Sequence, residues 1–197
     1  MSQQSTRREF LKKSAVVAGA ATQLGIARGA HAAGGDELKV ALIGCGGRGT
    51  GAANDCMNAA KILNQPVKLI AVADAFADRA RGALDRLKKE WSASIDVPEE
   101  RVFTGLDAHQ MALDCNPDVV LMASPPGFRP AQYAAAVKAG KHVFMEKPLC
   151  TDAPGYRMLV EANTQADQKG LKVVVGLQRR HQAGYLQGIQ EIHEGKL

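Results

Sequence analysis

A chain of 197 residues, 46% hydrophobic and 23% charged, is long enough for one domain with a substantial core and short for two. Its formal charge of +5 is concentrated at the start: five basic residues against Glu9 give residues 1–32 a charge of +4, which leaves the remainder near +1. That balance removes the electrostatic argument for a nucleic-acid partner, and the apolar content excludes a charge-driven disordered chain.

The first segment reads as an address. "STRREFLKK" (Ser5–Lys13) sets Arg7 and Arg8 before Phe10 and Leu11. The mildly apolar "SAVVAGAATQLGIA" that follows is too short for a membrane span. Ala30-His31-Ala32 then has the small-x-small form of a signal-peptidase site. The run from Thr6 to Lys12 is similar to the twin-arginine (Tat) export consensus. Residues 1–32 are thus expected to be a signal peptide read by the Tat machinery, with a periplasmic destination, either cleaved or kept as an anchor. Residues 33–37 read as a linker. The alternative is a basic amphipathic N-terminal helix.

From Leu38 onward, apolar β-type runs alternate with amphipathic stretches. The strands are expected at "LKVALIG", "VKLIAVAD", "RVFTG", "DVVLMAS", "KHVFMEK" and "LKVVVGL". Helices are expected at about 50–63, 76–92, 107–114, 129–140, 153–169 and 182–194. "DVPEERV" (Asp96–Val102) is a loop stopped by proline; Pro130 suits a first helical turn and Gly140 a helix end. Continuous apolar strands alternating with helices predict an α/β fold: a doubly wound parallel sheet covered on both faces.

Directly after the first strand, "GCGGRGTG" packs five glycines into eight residues. Gly44-x-Gly46-x-x-Gly49 stands where a dinucleotide fingerprint must stand, between strand and helix, with Cys45, Gly47 and Arg48 in the same loop. One glycine makes the turn, one lets backbone approach a pyrophosphate, and one lets helix pack on strand; the helix N-terminus then attracts phosphate. Arg48 has the reach to touch phosphate as well. Asp74 ends the second strand, 25 residues past Gly49. A carboxylate there accepts adenosine ribose hydroxyls and repels a 2′-phosphate, favouring NAD over NADP; the competing reading is a helix cap before "AFADRA". Arg79 lies a turn inside that helix.

"ASPPGFRP" (Ala123–Pro130) after the fourth strand is a stiff loop, either skirting a flat ligand or simply joining strand to helix. "MEKPLC" (Met145–Cys150) follows the fifth strand, so Glu146 and Lys147 either face the cleft beyond the strand ends or form a surface pair in a turn. In the first case a desolvated Lys147 can exchange a proton with a substrate hydroxyl, with Pro148 fixing the loop through a cis bond. After the sixth strand, "GLQRRHQAGY" (Gly176–Tyr185) offers Gln178, Arg179, Arg180 and His181; Arg179 or His181 is a candidate substrate contact, against the alternative of ordinary exposed helix residues. Cys45, Cys56, Cys115 and Cys150 show neither C-x-x-C nor zinc-finger spacing, and small buried thiols are expected rather than a metal site.

Taken in order, "VALIGCGGRG", "AVAD", "MASPPGFRP", "AVKAGKHVFMEKP" and "VVGLQRRHQAGY" resemble the glucose–fructose oxidoreductase/inositol dehydrogenase (Gfo/Idh/MocA) family from about Leu38 to the C-terminus. The resemblance implies an NAD(P)-binding Rossmann domain over 38–180. It implies a hydride-transfer enzyme acting on a sugar, cyclitol or related polyol. Lys147 would be the cleft lysine touching substrate and nicotinamide, Glu146 would touch the nicotinamide side, and Ser124 and Pro125 would line the nucleotide. Two departures stand out. Arg129 occupies a place where many members carry His. A second α/β domain, which completes the substrate pocket and makes the oligomer, would follow residues 181–197, so the chain reads as an N-terminal piece or a natural truncation. An NAD-dependent glycosidase of the same architecture and a non-catalytic dinucleotide-binding protein are the rival functions.

Overall fold

The structure is a computed structural model, and it describes residues 37–196. The signal-peptide reading and nearly all of the linker reading lie outside the described residues. Six strands form one parallel sheet: β1 (Leu38–Ile43), β2 (Val67–Asp74), β3 (Val102–Thr104), β4 (Val119–Met122), β5 (His142–Met145) and β6 (Val173–Val175). Their spatial order is β3-β2-β1-β4-β5-β6. This is the doubly wound order anticipated from the alternation, and it puts a topological switch point between β1 and β4.

Five α-helices connect the strands, α1 (Gly47–Leu63), α2 (Ala77–Trp91), α3 (Ala108–Asp114), α4 (Arg129–Lys138) and α5 (Ala153–Gln168), and α6 (Ala183–His193) follows β6. Most begin and end within two residues of the expected places. The exception is α1, which starts at Gly47 instead of about residue 50, so the fingerprint runs into the helix. Glycine's poor helix propensity hid this start; Gly47 and Gly49 are nonetheless tolerated in a first turn whose N–H groups have no helical partner to lose. At the far end of α4, Gly140 takes φ +74°, the left-handed residue that follows a helix.

Alternation along the strands builds two cores. Ala41 and Ile43 face one side with Val120, Met122, Val143 and Met145, under α3, α4 and α5. Val40 and Leu42 face the other, with Leu121, under Ala53 and Met57 of α1 and Ala80, Ala83, Leu84 and Leu87 of α2. β2 breaks the strict alternation. Leu69 lies in the second core, yet Ala71 and Ala73 lie in the first. The register explains it: Val40 pairs with Leu69 and Ala41 with Ala71, so Ile70 is an extra residue that swaps the faces of everything after it.

Coverage of the sheet is uneven. On the α1 side, Val174 and Leu177 are exposed and Phe144 is only half-buried, so among the described residues no helix covers the outer strands β5 and β6 there. The helix α6 has no buried residue, although Tyr185, Leu186, Ile189 and Ile192 give it an apolar face. Among the described residues, no helix is long and apolar enough to cross a membrane.

Candidate dinucleotide and substrate site

The carboxyl ends of the parallel strands open into a cleft of about 550 Å³, within the range of small-molecule sites. The glycine loop, Asp74, Ser124, Pro125, Glu146 and Lys147 all reach it, together with Gln178. The sequence reading thus brought together residues spread over more than a hundred positions.

The glycines divide into two kinds. Gly44 has φ +89°, and a Cβ there would stand 2.4 Å from the Ser124 nitrogen. A Cβ on Gly49 would stand 1.7 Å from the Gly44 carbonyl oxygen. Both positions are dictated by the protein's own packing at the switch point. Gly46 is different. Its φ of −66° and ψ of −176° suit any residue, and a Cβ would meet only the Arg79 guanidinium, at 3.5 Å. At Gly47 a Cβ would meet nothing within 4 Å. The chain itself gives no reason for these two glycines, and the space they leave adjoins the uncapped N-terminus of α1, which has no acidic residue in its first turn. That is a cradle suited to a diphosphate.

Asp74 anchors this loop. Its Oδ2 accepts the Cys45 N–H at 2.6 Å and its Oδ1 accepts the Phe76 N–H at 3.0 Å. The helix-cap alternative therefore fails: the N-cap of α2 is Phe76, with no side-chain bond. Each carboxylate oxygen keeps a second lone pair for a ribose hydroxyl. Cys45 contributes only its backbone. Its thiol is buried in the core and donates to the Ala73 carbonyl at 3.5 Å. Burial, helped by the Asp74 charge, pushes that thiol up to about 12, so the side chain is neutral filling and not a cofactor contact. All four cysteines are free thiols.

Glu146 is buried at the end of β5, and its Oε1 accepts from Arg48 Nε at 2.8 Å. Arg48 also reaches Asp55 at 3.4 Å. The guanidinium read as a phosphate contact is therefore committed to carboxylates and ties the glycine loop to β5. Gly176 makes room for this pair, since a Cβ there would stand 2.5 Å from Glu146 Oε1. Lys147 precedes Pro148 across a cis bond, is exposed at the cleft, and has no ion-pair or hydrogen-bond partner among the described residues.

The three substrate candidates lie in different surroundings. Arg129, a substrate candidate, is only 2% exposed, and its guanidinium donates to the backbone carbonyls of Ser124, Glu146 and Pro148. It lines the cleft as part of the frame. Arg179 is exposed and lies over the Tyr185 ring, 5.2 Å from its centroid, outside this cleft. His181 borders a separate groove beside α1 and β6. Of that segment, Gln178 is the residue that reaches the main cleft. Sequence reasoning also missed Gln132, whose amide oxygen accepts from the Ser124 hydroxyl, and set aside Arg79, which lines the cleft over Phe76 at 5.7 Å. Gln132 sits three residues after Arg129 on α4, one helical turn along the same face, and that spacing was the available signal. Among the described residues no group of three or more His, Cys, Asp or Glu side chains converges to hold a metal.

Comparison with known proteins agrees with this geometry. A family model described as the oxidoreductase family with an NAD-binding Rossmann fold (GFO_IDH_MocA) matches residues 38–177. An inositol 2-dehydrogenase from Klebsiella pneumoniae is 30% identical over 161 residues, covering 82% of this chain and 43% of that protein. One from Paracoccus denitrificans is 32% identical over 149 residues, covering 76% and 39%. Among solved structures, a scyllo-inositol dehydrogenase from Lactobacillus casei with bound NAD(H) and scyllo-inositol superposes with a TM-score of 0.60 at 27% identity, covering 82% of this chain and 42% of the other. The chain spans about two fifths of the length of these curated relatives.

The two kinds of glycine separate in mutagenesis. Gly46→Val should fold normally and lose NAD binding, because the branched side chain fills the diphosphate space. Gly49→Ala should instead lower stability by about 3 kcal/mol, the upper end for forced overpacking. Urea denaturation and calorimetric titration with NAD check both; tight NAD binding by a folded Gly46→Val chain would make the loop purely structural.

Proposed function

The chain belongs to the Gfo/Idh/MocA oxidoreductase family, and on that premise we propose that it is the cofactor-holding part of an enzyme that moves a hydride between NAD and the hydroxyl-bearing carbon of a sugar, cyclitol or related polyol. The observation that carries the reading is Lys147, an unpartnered amine at the carboxyl end of β5, opening on the same cleft as the glycine cradle and Asp74. When bound, the nicotinamide supplies the hydride acceptor. The residues of this chain do the rest. The backbone of Gly46 and Gly47 and the N-terminus of α1 hold the diphosphate. The Asp74 carboxylate accepts the ribose hydroxyls. The Lys147 Nζ takes the hydroxyl proton as the C–H hydride departs, and returns it in the reverse direction. The relatives named as inositol dehydrogenases support a cyclitol as the first substrate class to try.

The same reading assigns the N-terminal segment to export. Arg7 and Arg8 stand before an apolar stretch and a small-x-small site, the pattern a Tat receptor reads.

Three measurements test these statements. NAD should bind the chain more tightly than NADP, and Asp74→Ala should narrow the gap by weakening NAD; equal affinities in the unmodified chain, measured by calorimetry, would remove the preference. In the product of the whole reading frame, Lys147→Met should lower turnover on a polyol panel by about 100- to 10,000-fold. NAD affinity should change far less, and unchanged turnover would take the lysine out of the reaction. Replacing both Arg7 and Arg8 by Lys should leave precursor in the cytoplasm; normal export of that variant, followed by fractionation, would refute the Tat assignment.

A further inference from the structure

Arg129 stands in a costly place. It opens α4, whose N-terminus carries the positive end of the helix dipole and has no acidic residue in its first turn. Its side chain is buried, and removing a guanidinium from water is costly unless it is well paired. Burial accordingly weakens its hold on its proton, opposed by the Glu146 charge. Among the described residues it forms no ion pair, and the Glu146 carboxylate is engaged by Arg48. What it meets is backbone: Nη1 donates to the carbonyls of Glu146 and Pro148, and Nη2 donates to the carbonyl of Ser124.

Those three carbonyls belong to the two loops that form the cofactor wall and the lysine turn. The last backbone bond between β4 and β5 runs from the Glu146 N–H to the Met122 carbonyl, at 2.9 Å. Beyond it, among the described residues, no backbone–backbone bond joins the loop after β4 to the loop after β5. The guanidinium fork takes over where the ladder stops. Two of its acceptors bracket Lys147, one residue before it and one after, and the third is the residue before Pro125 of the cofactor wall. Hydrogen bonds from a charged donor are stronger than neutral ones, so three of them compensate the buried charge in part, the Nε being left without a partner among the described residues.

We propose that Arg129 is a positioning residue that holds Lys147 at a fixed place beside the bound dinucleotide by clamping the carbonyls on both sides of the lysine to the Ser124 loop. The proposal rests on the reading of Lys147 as the proton-carrying group. It concerns the lysine's placement and not the affinity for the cofactor, whose diphosphate and ribose contacts lie on the glycine loop and Asp74. A planar fork with two terminal nitrogens spans two loops; a single ammonium on a lysine stem does not.

The test uses the 197-residue chain with its lysines reductively [13C]methylated, the Lys147 signal being identified with Lys147→Arg. In the unmodified sequence, saturating NAD should shift the Lys147 signal. In Arg129→Ala and Arg129→Lys that shift should fall at least threefold, while calorimetric NAD affinity stays within threefold. Adding propylguanidinium should restore the shift in Arg129→Ala and leave Arg129→Lys unaltered. A merely structural role would lower thermal stability and leave the Lys147 shift where it was. The proposal is overturned by a full Lys147 shift in either folded variant, or by loss of NAD affinity in step with the shift. A Lys147 signal that ignores bound NAD in the unmodified chain refutes the catalytic reading of the lysine, and the clamp proposal with it, whatever the variants do.

Discussion

The contact on which the rest of the site depends is the approach of Gly44 to the backbone of Ser124, so close that a Cβ would lie 2.4 Å from its nitrogen. It occurs where β1 and β4 are neighbours but their connections leave in opposite directions. Because the two loops touch there, the start of α1 is fixed over the end of the sheet. Gly49 then settles on the Gly44 carbonyl, and the N-terminus of the helix between them is left uncapped beside the cleft. Asp74 locks the arrangement from the β2 side through the Cys45 N–H. The cradle is thus rigid before any ligand enters, which lowers the ordering cost of binding.

A second layer is electrostatic. Going across the cleft floor, Arg129 holds the Glu146 carbonyl, the Glu146 carboxylate holds Arg48, and Arg48 reaches Asp55. A buried carboxylate without a partner would be costly, and Arg48 supplies the partner from the glycine loop itself. Two separate chain segments are fastened by this alternation of sign, the glycine loop with the start of α1 and the end of the fifth strand, and Gly176 leaves room for the pair. The lysine is the one cation at the centre of this arrangement left without a protein partner among the described residues. That makes it available for chemistry, while its neighbours are spent on geometry.

The outer half of the sheet is a different matter. Val174, Leu177 and the apolar face of α6 are exposed, whereas the β1–β2 half is covered on both sides. An apolar surface of this kind is costly in water. The sequence gives the same residues a strand or helix pattern no weaker than that of the covered half.

What the sequence determined by itself is the local and periodic part. Strand and helix positions, the parallel doubly wound sheet, the fingerprint, Asp74 and the Lys147 turn all follow from apolar runs, turn residues and the rule that ligands lie beyond strand ends. Each depends on neighbours in sequence or on a topology with few alternatives. What only the tertiary structure decided is which side chains face the ligand and which hold the frame. Arg48, Arg129 and Glu146 look alike in sequence as cleft charges, yet partners 5 to 98 residues away engage Arg48 with Glu146 and Arg129 with backbone carbonyls. Cys45 sits in the middle of the fingerprint and turns into the core. Gly46 and Gly44 are two residues apart, and only the packing around them shows that the protein's own atoms demand a glycine at Gly44 and not at Gly46. A charge or a missing side chain takes its role from the atoms that surround it, and those are fixed by the fold rather than by spacing along the chain.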